Sequence, residues 1–390
     1  MLGALTAIGP FTVDLYLPAF PQLVDEFQVS EGAIQATLAG TMLGFAFGQL
    51  LMGPLSDRFG RKWPLIISNL LHIVASVFAI IAPDIITLTL SRVLQGFGAA
   101  AGSVVSMAIV RDLFEGVPLV RMLSRLSLVS GIAPILAPLI GSQLLLVVDW
   151  HGVFAFLLIY GILVLIAVIS FVEETLTPEK KAYARSHSQL QRYKKVLSDH
   201  VYIGALILAG MNFTGVFSYL QASPFLLQDQ YGLNAQQYGF FFASNSLGVM
   251  IGVQLASRLA VRFGPGWILA FTTAAQFIFA GILFFGEETG QGLWWTAIAL
   301  FLYMTTCGAQ FPLIQVLALA EHGNEAGTAS SLIGASNFGI AGLLSPLVGI
   351  LAGAGMLIGA AMATVQLGSA AIAILALWIL IRPKTVKQLK

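Results

Sequence analysis

The chain has 390 residues, 57% of them apolar and only 9% charged, with 19 Lys and Arg against 18 Asp and Glu. A water-soluble domain carries about 25% charged residues, so this composition excludes water as the main solvent, and a net charge of +1 gives nucleic acid nothing to bind. The one cysteine, Cys307, excludes an intramolecular disulfide and, in its apolar run, reads as a buried structural thiol.

Crossing a hydrocarbon core of ~30 Å takes about 20 apolar residues in a helix. Runs of that kind fall near 3–22, 33–55, 63–82, 85–110, 122–148 and 152–172. The first begins without a basic region or a cleavage site and reads as a span, not a signal peptide. A polar stretch follows at 174–199 with Lys180, Lys181, Arg185, Arg192, Lys194 and Lys195. It is expected to be a cytoplasmic linker, a solvated tether resting on anionic membrane lipid. Six further runs lie near 200–222, 236–260, 266–286, 293–319, 326–352 and 355–381. The expected fold is all-α: twelve transmembrane helices in two six-helix bundles, residues 1–173 and 200–390.

With both termini in the cytoplasm, the inner connections hold 18 of the 19 Lys and Arg residues, and the outer connections hold only acids, such as Asp84, Asp149 and Glu287. That separation satisfies the positive-inside rule and checks the span count, because a miscounted helix would scatter the bases. The exception is Arg92.

The segment Gly131-Ile-Ala-Pro-Ile-Leu-Ala-Pro-Leu-Ile-Gly141 returns as Gly339-Ile-Ala-Gly-Leu-Leu-Ser-Pro-Leu-Val-Gly349, identical at seven of eleven positions. Arg58-Phe59-Gly60 returns as Arg262-Phe263-Gly264 at nearly the same offset. Two such echoes indicate a duplicated six-helix unit, an arrangement that places a substrate site between the halves near the bilayer midplane.

Charge is almost absent inside the spans, which singles out Asp14 in the first and Arg92 in the fourth, because ionisable groups in a bilayer are costly and line pathways. Asp14 lies about 7 residues, roughly 10 Å, inside the outer edge, and Arg92 lies at a similar depth. The two can face one another if the first and fourth spans are neighbours. Pro18 removes the N–H that would bond the carbonyl of Asp14, and broken backbone at membrane depth is tolerated where it lines a cavity. In the functional reading Asp14 exchanges a proton and Arg92 tunes it, since burial and a neighbouring guanidinium compete in setting where a carboxyl titrates. The alternatives are a static ion pair, or an Arg92 that reaches to the outer headgroups.

Gly53-Pro-Leu-Ser-Asp57-Arg58-Phe-Gly60-Arg61-Lys62 joins the second and third spans through a short connection. It resembles the signature loop of the major facilitator superfamily, and Leu88 to Ala100, with Arg92, Gln95, Gly96 and Gly98, resembles the fourth-helix motif of that superfamily's proton-coupled members. The resemblance implies a conformational latch at Gly53, Asp57 and Arg61, with Asp112 as a further partner of the base. The duplicated copy has Val261 in place of Asp57, so the latch is expected on one side only. Gly131, Pro134, Pro138 and Gly141 resemble the fifth-helix motif of the superfamily's exporters. With the Asp14-Leu-Tyr16-Leu-Pro18 run, they resemble the bicyclomycin-resistance subfamily of drug:proton antiporters. Read as plain chemistry, those prolines bend the helix and its small residues allow close packing.

Gly40, Gly44 and Gly48, and again Gly248 and Gly252, recur every fourth residue and mark close helix contacts. Tyr16, Gln49, Asn212, Phe217, Asn245, Gln310 and Gln315 are candidates to line a substrate cavity, as aromatic faces and adaptable amides. His72 reads as a packed, satisfied residue. No P-loop, H-E-x-x-H or G-x-S-x-G pattern appears, so neither an enzyme, a cofactor nor a metal is expected. The expected function is a monomeric, proton-coupled antiporter in a bacterial inner membrane, exporting small, largely apolar drugs. The alternative is a proton-coupled transporter of a small metabolite on the same fold.

Overall fold

A computed structural model describes residues 1–177, 193–194, 196–319 and 326–383. The linker bases Lys180, Lys181, Arg185, Arg192 and Lys195 fall outside the described residues. Among the described residues there is no strand, and twelve helical stretches are long and apolar enough to cross a membrane.

The chain divides into two compact units, 1–29 with 36–191, and 30–35 with 192–390. In the first, α1 (Leu2–Asp14), a 3-10 turn (Leu17–Ala19) and α2 (Phe20–Phe27) make one interrupted span. It is followed by α3 (Glu31–Phe59), α4 (Lys62–Ile80), α5 (Ile85–Leu113), α6 (Gly116–Leu144) and α7 (Trp150–Phe171). In the second, α8 (His200–Pro224) continues through a π turn (Phe225–Gln230). After it come α9 (Ala235–Phe263), α10 (Pro265–Thr289), α11 (Leu293–Leu319), α12 (Ala326–Leu344), α13 (Leu347–Gly353) and α14 (Ile358–Ala376).

The spans show why these residues choose lipid. Along α4, Trp63, Ile67, Leu70, Val74, Val77 and Phe78 are exposed, while Ser68, Asn69, His72, Ala75 and Ser76 are buried. Spacings of three and four residues put each set on one face of the helix. The apolar face points outward and the small and polar face inward, which in water would be an aggregation surface and in hydrocarbon is the stable arrangement. Glycine sets the inward spacing. A Cβ on Gly44 or Gly48 of α3 would overlap the backbone of α5 at Val93 and Phe97, and one on Gly252 of α9 would overlap the Thr305 carbonyl of α11.

The two echoed segments behave differently. Gly60 and Gly264 end their helices alike with φ of 104° and 85°, and Arg58 and Arg262 each lie over the following phenylalanine, at 5.8 Å and 5.2 Å. By contrast α6 runs unbroken through Pro134 and Pro138, whereas the second copy breaks between α12 and α13 at Ser345 and Pro346. Neither end of the expected tether is free: Val172 packs in the core of the first unit, Val196 in that of the second, and Glu174 bonds back to the α3–α4 connection. Glu287, expected on an outer connection, is buried at the end of α10, where Gln230, Tyr231 and Thr296 all donate to it.

Candidate functional site

The break in the first span creates the site. Helix α1 stops at Asp14, so its last carbonyls lose their helical donors. Arg92, on the neighbouring α5 and fully buried, donates from Nη2 to the carbonyl of Thr12 at 2.6 Å. Its Nη1 donates to Gln95 Oε1. The guanidinium lies 4.0 Å from the centre of the Tyr16 ring and 5.6 Å from that of Phe154. The Tyr16 hydroxyl shares a hydrogen bond with Thr37 at 3.1 Å, and Gln95 Nε2 donates to Ser76 Oγ at 2.8 Å. A single polar layer thus ties α1, α3, α4 and α5 together.

Asp14 is 4% exposed, so it faces the interior and not lipid. Its carboxyl makes no hydrogen bond or ion pair among the described residues. The facing of Asp14 and Arg92 is therefore corrected: the guanidinium closes on the carbonyl of Thr12 and forms no ion pair with the Asp14 carboxyl. The donor from Arg92 is spent on a backbone carbonyl at the end of α1, and the Asp14 carboxyl stays unclaimed among the described residues. A buried cation is tolerable here because a carbonyl, an amide oxygen and two ring faces replace most of its hydration, leaving Nε without a hydrogen-bond partner among the described residues. Its full burial also removes the alternative in which it reaches to the headgroups. His72 shares a hydrogen bond from Nδ1 with the Gln95 carbonyl at 3.3 Å, a packed residue of the same layer.

The latch residues assemble at the α3–α4 connection. Arg61 is held by Asp57 Oδ1 at 2.5 Å, Asp112 Oδ2 at 2.9 Å and Ser56 Oγ at 2.9 Å. Burial pulls the guanidinium pKa down, but the hydrogen bonds and charges of Asp112 and Asp57 outweigh it and leave Arg61 above its ordinary range. Gly53 accepts from Ser56 through its carbonyl, and a Cβ there would touch only Val104. Of the fifth-helix motif, Gly141 packs against the carbonyl of Leu15, just past the break, while a Cβ on Gly131 would meet nothing within 4 Å.

The substrate-cavity candidates separate. Tyr16 belongs to the arginine layer, and Gln49 is buried in α3. Asn212 and Gln310 sit in a second polar layer around Gln276: Gln310 Nε2 donates to Gln276 Oε1 at 2.7 Å, and Gln276 Nε2 approaches Asn212, Tyr303 and Cys307. Phe217 stacks in a cluster with Phe213 and Phe338, and Phe213 also meets Phe311. Asn245 donates to the Tyr219 hydroxyl at 3.0 Å, while its Oδ1 has no hydrogen-bond partner among the described residues. Gln315 is exposed and joins none of these groups. Gln276, Tyr303, Phe311, Phe338 and Glu174 were not anticipated. A lone amide in the apolar run around 276 was the one readable signal among them.

The family model described as Major Facilitator Superfamily matches residues 2–346. The bicyclomycin resistance protein homolog of Haemophilus influenzae is 31% identical over 350 residues, 89% of this chain and 87% of that protein. Multidrug resistance protein D of Escherichia coli is 27% identical over 358 residues, covering 90% of this chain and 88% of its own. Among solved structures, a D-xylose–proton symporter superposes with a TM-score of 0.75 at 17% identity over 100% of this chain and 98% of that one, a likeness of fold.

Proposed function

The protein belongs to the major facilitator superfamily of transporters and is a multi-pass membrane protein, and on that premise we propose that it is a proton-coupled antiporter exporting small, largely apolar drugs. The names carried by its relatives, bicyclomycin resistance and multidrug resistance, support the substrate class. The observation that carries the coupling is Asp14: a carboxyl at the broken end of α1, almost fully buried, with no bonded partner among the described residues. An acid without a fixed partner changes protonation without first breaking a bond, and burial makes its charge state costly to the surroundings. Protons entering the cell supply about 2.3 kcal/mol per 100 mV, before any pH gradient is added.

In this reading the two termini are cytoplasmic, the membrane is a bacterial inner membrane and the working unit is a monomer in lipid. Asp14 takes the proton and Arg92 senses it. Asp57, Arg61 and Asp112 form the latch, and the amide and aromatic groups around Asn212, Phe217, Asn245 and Gln310 meet the drug. No cofactor, metal or catalytic step takes part.

The test is ethidium transport in proteoliposomes under an imposed pH gradient, comparing the native protein with Asp14→Asn. The variant is expected to bind ethidium and lose uphill accumulation. Undiminished accumulation by Asp14→Asn would remove this carboxyl from the mechanism, and movement of the dye with the proton, instead of against it, would reverse the direction.

A further inference from the structure

The three acids around Arg61 are not equivalent. Its guanidinium donors are taken by Asp57, Ser56 and Asp112. Glu174, three residues past the end of α7, binds the backbone instead: Oε1 accepts from the N–H of Arg61 at 2.8 Å, and Oε2 lies 3.4 Å from the N–H of Lys62. These are the opening amides of α4, whose own N-cap position, Arg61, supplies no side-chain cap. A carboxylate there satisfies orphan donors and meets the positive end of the helix dipole. Gly60 leaves the room, since a Cβ on it would overlap the Glu174 carboxylate.

The arrangement is reciprocal. Lys62, at the start of α4, reaches back with Nζ to the carbonyl of Ile169 at 3.0 Å, among the last carbonyls of α7. A cation is thus set at the negative end of α7 while an acid is set at the positive end of α4. The segment 172–177 that follows α7, a short strap, is also tied to the latch itself, because Thr175 donates to Asp112 Oδ2 at 3.3 Å, the oxygen that receives Arg61 Nε. Glu174 further folds the strap by accepting from Leu176 N–H at 3.0 Å.

We infer that Glu174 is a positioning residue of the transport cycle: it clamps the start of α4 to the end of α7 and so fixes the backbone from which Arg61 reaches Asp57 and Asp112. The clamp sits just past the end of α7, and with Thr175 beside it on Asp112 it ties both the backbone of Arg61 and one of its side-chain partners to the same short segment. Glu174 touches no substrate. Its loss slows the cycle and leaves affinity alone.

Backbone hydrogen–deuterium exchange and ethidium transport on Glu174→Gln and Glu174→Asp decide it. Glu174→Gln is expected to raise amide exchange about tenfold at Arg61 and Lys62 only, and to lower the maximal rate about fivefold with KM unchanged. Glu174→Asp, which keeps the charge at shorter reach, is expected to recover part of both, and it carries the same comparison with native protein if Glu174→Gln does not fold. Native exchange or a native rate in Glu174→Gln overturns the inference. So does exchange rising throughout α4 and α7 with a raised KM and no rescue by Asp, the pattern of a general structural loss. The transport arm rests on the drug reading; if native protein does not move ethidium that reading fails, and confinement of the exchange to Arg61 and Lys62 decides the clamp alone.

Discussion

A guanidinium buried inside a membrane protein without an acid on it has to be held by groups of fixed geometry, and Arg92 is held by four: the freed carbonyl of Thr12, the amide of Gln95 and the faces of Tyr16 and Phe154. Lysine has the charge but neither the planar fork nor the stacking face. Arg92→Lys is therefore expected to lower proton-driven ethidium transport at least tenfold, while Tyr16→Phe, which keeps the ring and loses one hydroxyl bond worth about 1 kcal/mol, stays within about fivefold of native. Initial rates in proteoliposomes check both, and equal damage from the two would show that the hydroxyl matters and not the stacking. At this scale the sequence made Asp14 and Arg92 conspicuous because charge is so rare in the spans. It did not reveal that the cation would take the Thr12 carbonyl, because that acceptor exists only where the helix stops. Glu174 was hidden for a related reason. It lies in a polar stretch rich in charge, and the amides it caps at the start of α4 are more than a hundred residues away.

At the scale of the element, glycines that look alike in sequence do different work. Those spaced by four along α3 and α9 meet the backbone of the facing helix, and their spacing alone announced it. Gly131 sits in the exporter-like motif, yet a Cβ there meets nothing within 4 Å. Gly44→Ala and Gly252→Ala each force a methyl against a carbonyl and are expected to cost about 1–3 kcal/mol, seen as a lowered thermal midpoint in detergent. Gly131→Ala meets open space and gains helix propensity of up to ~1 kcal/mol, so its midpoint is expected to hold or rise. A drop for Gly131→Ala equal to the others would mean a packing partner for that glycine in the folded protein. The motif itself shows the limit of reading by likeness: its two copies share one proline, Pro138 and Pro346, yet only the second breaks its helix, α12 ending in a turn at Ser345 and Pro346 while α6 continues past Pro138.

For the whole molecule, the hydrophobic runs and the placement of the bases were enough to derive twelve spans, because crossing a bilayer demands length and apolarity that few other structures require. Boundaries moved where polar residues continue a helix beyond the hydrocarbon. Helix α6, for example, begins at Gly116 although its apolar run begins near 122. The same separation of charge fixes orientation by energy: bases stay on the cytoplasmic side during insertion, and 18 of 19 would have to cross for the reverse arrangement. Glu115, between α5 and α6, and Glu288, at the end of α10, are both exposed and fall on opposite sides of the membrane in this topology. On a Cys307→Ser background, which removes the one native thiol, a membrane-impermeant maleimide is expected to label Glu288→Cys in intact cells and Glu115→Cys only after permeabilisation. Labelling of both from outside, or of Glu115→Cys alone, would contradict the positive-inside assignment. It would also put Asp14 near the wrong surface for a proton entering from outside, so the direction of coupling stands on this same measurement.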